Sequence, residues 1–252
     1  MSIHLVAPIA VAIVFALLRW MMPVTPADAQ ALSLTDAERR LYYRWEVASL
    51  VPFFVFGPAL TWMWYHALRE LAGLAIGSSP DAVFVLAPTG RYWVVPSIFL
   101  GIVSAVVPMT LLYQALLGER FPTYERAAAE RVGFDGRRAL KGMSVLFGAA
   151  TVVFFACAVN STTRFTKDDV KVGNAFSFEA RSQPYERVTA VLHRATFEAP
   201  SGKIVRRPHY VVQFADGTEW STRQGLREPE PQLDAQVARF VAERAKLTIR
   251  EE

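Results

Sequence analysis

Residues 152–172 read VVFFACAVNSTTRFTKDDVKV, and the stretch changes its preferred solvent half-way. Up to Val159 there are only Val, Phe, Ala and Cys; beyond Asn160 come Arg164, Lys167, Asp168, Asp169 and Lys171. Asn160 therefore divides the chain. Over all 252 residues the composition is 52% hydrophobic and 12% aromatic, with a mean hydropathy of +0.22. Soluble domains sit near 45–50% apolar, and here the excess lies almost wholly before Asn160. The asymmetry predicts a membrane part followed by a water-soluble part.

A helix needs about 20 apolar residues to cross the hydrocarbon core of a bilayer. Four segments satisfy this, at about 3–22, 47–68, 92–117 and 142–160, and none carries an acid or base in its central turns. Trp20, Trp45, Trp62, Trp64, Tyr65, Tyr92, Trp93 and Tyr113 lie toward span ends, as an interfacial aromatic belt requires. Pro52, Pro58 and Pro108 predict kinks, which neighbouring helices can accommodate. Gly148, Ala149 and Ala150 offer close helix contact. Ala27-Asp28-Ala29 has the small-x-small form of a signal-peptidase site. The apolar run before it has no basic lead and ends too early, so the first span is expected to be retained.

With four spans, the loops after spans one and three share a face. They hold Arg39, Arg40, Arg44, Arg120, Arg126, Arg131, Arg137, Arg138 and Lys141, whereas the second loop holds only Arg69 and Arg91. The basic bias places the first and third loops in the cytoplasm and the C-terminal part outside, opposed by Arg164, Lys167 and Lys171 just after the last span. An Ala- and Arg-rich, Lys-poor composition points to a bacterial inner-membrane protein. In the third loop, TYERAAAERV is made of strong helix formers and Gly133 suits a C-cap. This predicts a short helix near the headgroups or a solvated connector.

Residues 161–175 read as a linker, and 176–252 as a soluble α+β domain. FSFEA, ERVTAVLHRATFEA, KIVRRPHYVVQF and TEWSTR have the period of two and the Val, Phe and Thr content of strands. Ser201-Gly202 and Asp216-Gly217 supply turns, giving an antiparallel meander. In EPEPQLDAQVARFVAERAKL, Pro231 fits a first helical position, and Leu233, Val237, Phe240, Val241 and Arg244 follow at helical spacing. LTIRE adds a last short strand. The strand PYERVTAVLHR, the hairpin HYVVQFADGTEW and the helix QVARFVAERA together resemble bacterial membrane proteins that join a few spans to a pleckstrin-homology-like domain. The resemblance covers about the last 75 residues and implies a binding or scaffold role; the sheet visible in the sequence is short of that family's seven strands.

No Gly-rich phosphate loop, Gly-x-Ser-x-Gly or His-Glu-x-x-His motif occurs, so no catalytic residue, cofactor or metal is expected. A net charge of +4 with interspersed signs argues against nucleic acid. The lone Cys157 excludes an internal disulfide. A turn centred on Ser201 sets His193 opposite His209, where two imidazoles share a metal or titrate together, or are simply solvated. Lys203, Arg206 and Arg207, with Arg187 and Arg194 across the hairpin, form a candidate anion or headgroup site. Asp168-Asp169 reads as a solvated linker rather than a cation site. The expected function is an accessory, sensor or scaffold subunit that uses its C-terminal domain to bind a protein partner or ligand. The alternative is a small transporter or channel with a path past Ser104, Pro108, Thr110 and Gln114. The bilayer is the one partner implied directly.

Overall fold

In the computed structural model, residues 34–77, 81–198, 202, 204–223 and 227–252 are described. The first expected span, 3–22, lies outside them, as does Lys203. Thr35 opens helix α1 (Asp36–Ala48) with a capping box, its hydroxyl accepting from the Glu38 amide while Glu38 reaches back to the Thr35 amide at 2.8 Å. After Ser49 the chain continues as α2 (Leu50–Ile76). Two further long helices follow, α3 (Val94–Leu117) and, beyond the shorter α4 (Phe121–Val132), α5 (Gly136–Asn160). The third-loop helix ends where the sequence places its cap, with Gly133 left-handed at φ 78°. Pro58 and Pro108 lie inside α2 and α3, and Pro52 is in the first turn of α2.

Three helical segments among the described residues are long and apolar enough to cross a membrane. Only 6, 22 and 11% of their apolar windows is buried within the protein. Phe54, Trp62, Leu74, Val107, Leu111, Val145 and Val152 are each more than half exposed. Apolar faces of this extent need hydrocarbon around them, so the chain associates with a membrane.

The described residues divide into two compact units, those of 34–65 with 96–151, and those of 66–95 with 152–252. In the first unit, α2 and α3 come together at Gly101, where an added Cβ would lie 2.1 Å from the Thr61 hydroxyl and 2.8 Å from its Cα. One turn on, the Trp64 indole donates to Ser104 at 2.8 Å. Small residues let backbones approach in this way. The sequence offers Gly148 for that purpose, but a side chain there would meet nothing within 4 Å.

Among its described residues the second unit holds two four-stranded sheets, one complete helix and the C-terminal turns of α2 and α5. The first sheet has strand order β1-β2-β3-β4: β1 (Ala82–Leu86), β2 (Thr163–Thr166), β3 (Asp169–Asn174) and β4 (Ser177–Pro184), all antiparallel. The segment 161–175, read from the sequence as a linker, is therefore mostly strand. Its first partner, β1, comes from the connection between two long helices. The second sheet has order β7-β6-β5-β8: β5 (Val188–Glu198), β6 (Ile204–Phe214) and β7 (Glu219–Ser221) form three strands of the expected four-strand meander, whereas the FSFEA strand lies in the first sheet as β4 because the turn at Tyr185–Arg187 takes the chain across. The last strand, β8 (Ile249–Glu251), joins β5 in parallel.

A short 3-10 turn at Tyr185–Arg187 carries the chain from one sheet to the other. Helix α6 (Pro231–Ala245) starts at Pro231 as expected, and Val237 and Val241 are fully buried. They meet Leu86, Phe165, Val170, Tyr185, Val191, Val212, Phe214 and Trp220 in one core. Trp220 packs edge-on against Phe165 at 5.1 Å and donates its indole N–H to the Thr163 hydroxyl, tying β7 to β2. Each such buried aromatic contributes about 1.5–3 kcal/mol.

Candidate functional site

The β5–β6 hairpin carries most of the residues singled out from the sequence. Near its tip Glu198 pairs with Ile204 and Thr196 with Arg206, as a turn centred on Ser201 requires. A bulge between Arg194 and Thr196 then shifts the register by one residue. His193 consequently pairs with Tyr210, and Arg194 with His209. Neighbouring residues of a strand point to opposite faces, so the two histidines do not face each other, and the expected imidazole pair is corrected. Among the described residues no group of three or more metal-ligating side chains comes together.

Three of the expected residues are occupied elsewhere. The His193 ring lies tilted against Tyr210 at 4.8 Å and its Nδ1 lies 2.7 Å from the Glu251 carboxylate. Arg194 donates to Glu252 at 2.7 Å and to Glu219 at 3.3 Å. The Glu252 hydrogen bond comes first among the interactions that hold its guanidinium above the ordinary arginine range. These contacts fasten β8 and β7 to the hairpin. His209 is buried, and its Nδ1–H donates to the Arg207 carbonyl at 3.0 Å.

What remains are the arginines toward the hairpin tip, of which Arg206 and Arg207 are consecutive in β6 and point to opposite faces. Arg206 and Arg207 are exposed and enter no ion pair among the described residues. Arg223 joins Arg207, although nothing in the sequence reading drew attention to it. Its guanidinium lies 4.5 Å above the Phe197 ring, whose edge meets His209 at 6.2 Å. Burial, and then the like charge of Arg207, push the Arg223 guanidinium below the usual arginine range. Its Nη1 is buried with no hydrogen-bond partner among the described residues. A signal for Arg223 exists in the sequence: Asp216-Gly217 fixes the β6–β7 register with Ser221 opposite Val211, and two residues further Arg223 comes beside His209.

Two guanidinium groups that repel one another, one with an unused donor, favour a ligand bearing a carboxylate or phosphate. The aromatic wall at Phe197 fixes the plane in which Arg223 presents its donors. The Asp168-Asp169 pair does different work. The Asp169 carboxylate accepts from the Thr166 and Ser182 hydroxyls and so closes the β2–β3 turn against β4.

No protein-family model matches the chain, and no curated protein or solved structure matches it either.

Proposed function

We propose that this chain is an integral membrane protein whose C-terminal domain is a pleckstrin-homology-like binding module, acting as an accessory, sensor or scaffold subunit rather than an enzyme. One antiparallel sheet, one mixed sheet and a C-terminal helix packed on them support the likeness, and β1, β2 and β3 supply strands that the sequence reading lacked. The observation that carries the binding role is the uncompensated pair Arg207 and Arg223. It selects an acidic or phosphate-bearing segment of a partner protein. The arginine-rich connections sit in the cytoplasm by the basic-loop rule and the module outside a bacterial inner membrane. A transport path past Ser104 is disfavoured, because that hydroxyl is engaged by Trp64.

The test compares the full-length protein with an Arg207→Glu/Arg223→Glu variant, each purified from native membranes in mild detergent. A partner recovered with the parent and reduced at least tenfold with the variant is the expected result. Recovery of identical partners by both, or of none by either, would overturn the reading. Solute flux in liposomes that is indifferent to the variant would replace it with transport.

A further inference from the structure

The first unit contains a cavity of about 480 Å³ between α1 and α4. Arg39, Arg40, Tyr42 and Tyr43 line it from α1, and Glu130 and Arg131 from α4. Its size is that of a site for a small organic molecule. Arg131 is already neutralised, bonded to Glu46 at 2.7 Å with its guanidinium 4.9 Å above the Tyr43 ring. Glu38, the acid nearest in sequence to Arg39, is turned to Thr35 in the capping box. Arg39 and Arg40 form no ion pair among the described residues, which leaves two guanidinium groups against Glu130 alone. The cavity is net positive.

Its place along the helices decides what it faces. Below it stands an aromatic cluster: Tyr42 against Tyr124 at 6.0 Å, Trp45 against Tyr113 at 5.9 Å, and Tyr113 on Tyr124 at 5.6 Å. The Tyr113 hydroxyl donates to the Trp45 carbonyl at 2.8 Å, joining α1, just ahead of the apolar α2, to the end of the apolar α3. Such a belt marks the headgroup level of a bilayer. Arg40 lies beyond Trp45 by roughly 8 Å along the helix axis, about the thickness of one headgroup layer.

We propose that this cavity binds the phosphate of an anionic phospholipid headgroup, with Arg39 and Arg40 as its donors and Tyr42 and Tyr43 as its walls. Basic pockets at helix ends on a membrane face recognise anionic lipids through this chemistry.

The experiment uses full-length protein in detergent, with lipid retention read by native mass spectrometry and thermal stability measured on the same samples. Phosphatidylglycerol is expected to be retained and to raise the melting temperature, and phosphatidylcholine to do neither. Arg39→Gln/Arg40→Gln is expected to weaken phosphatidylglycerol binding roughly thirtyfold, the loss for two interfacial arginines. Arg39→Lys/Arg40→Lys keeps the charge and should recover most of the binding, so misfolding of the Gln variant does not decide the matter. Equal retention of the two lipids by the parent protein, or unchanged selectivity in the Gln variant, would overturn the proposal. If inorganic phosphate at millimolar concentration stabilises the parent as well as phosphatidylglycerol does, the ligand is a free anion and the lipid assignment fails.

Discussion

Asp216 shows how much a turn depends on one carboxylate. Its Oδ1 accepts from the Thr218 hydroxyl and from the Thr218 amide at 2.9 Å; its Oδ2 accepts from Gln183 at 2.8 Å and pairs with Arg181. The Thr218 bonds are the main reason that its acid lies well below the usual carboxylate range. A depressed folded value means that the unfolded chain takes up the proton first. The contribution is therefore complete above the unfolded value of about 3.9 and fades as the pH falls from there toward the folded one. Asp216→Asn is expected to flatten the acid limb of a melting-temperature profile below about pH 4, and an unchanged acid limb would refute this account. Asp234 acts differently, because it is buried. It meets Arg227 with both side chains about 5% exposed. Asp234→Ala leaves a buried cation alone and should cost about 3–5 kcal/mol in denaturant unfolding, whereas Arg227→Met/Asp234→Leu should be near neutral. Residue roles were the least legible part of the sequence. His193 and His209 fit a facing pair by simple counting, and only the bulge at Arg207-Pro208, two residues of β6 set against Ala195 of β5, separates them; Pro208 is the signal that simple counting passes over.

Among the elements, legibility follows period and length. The strands after Phe176 and helix α6 were readable because alternation or a helical stripe runs for ten residues or so between turn signals. β2 and β3 were not, since TRFT and DVKVGN are short and the charged turn between them reads as solvated chain. β1 was hidden for another reason. AVFVL lies in a connection between apolar helices, and its partner is far along the sequence. Yet Leu86 is 5% exposed in the core, and Phe84 packs edge-on against Phe240 of α6 at 5.4 Å. Leu86→Ala in the intact protein should cost about 2–5 kcal/mol and speed amide hydrogen exchange throughout β2. A fragment starting at Thr163 should likewise unfold without cooperativity, and regain it when residues 81–87 are fused ahead of it. Cooperative melting of the bare fragment would show β1 to be dispensable.

At the scale of the whole molecule, the pairing of β1 with β2 bears on topology. If α2, α3 and α5 each cross the bilayer, the connection holding β1 and the chain after α5 emerge on one side, and α4 emerges on the other. The pairing meets that parity condition. With Cys157 replaced by Ser, single cysteines at Glu186 and Arg126, both exposed, should react with a membrane-impermeant maleimide from opposite faces. Labelling of both from one face would break the three-crossing arrangement. The partition at Asn160 was readable because hydropathy alone reports it; the interleaving of the two units was not, because composition carries no information about which loop a distant strand will choose. That interleaving also sets a schedule for biosynthesis. At about 5–20 residues per second, β1 leaves the ribosome on the order of 10 seconds before β2 exists. Until then its apolar edge has no partner. The module can close only after the last apolar helix has been delivered to the bilayer, so a stalled insertion leaves an open sheet for the cell's proteases to find.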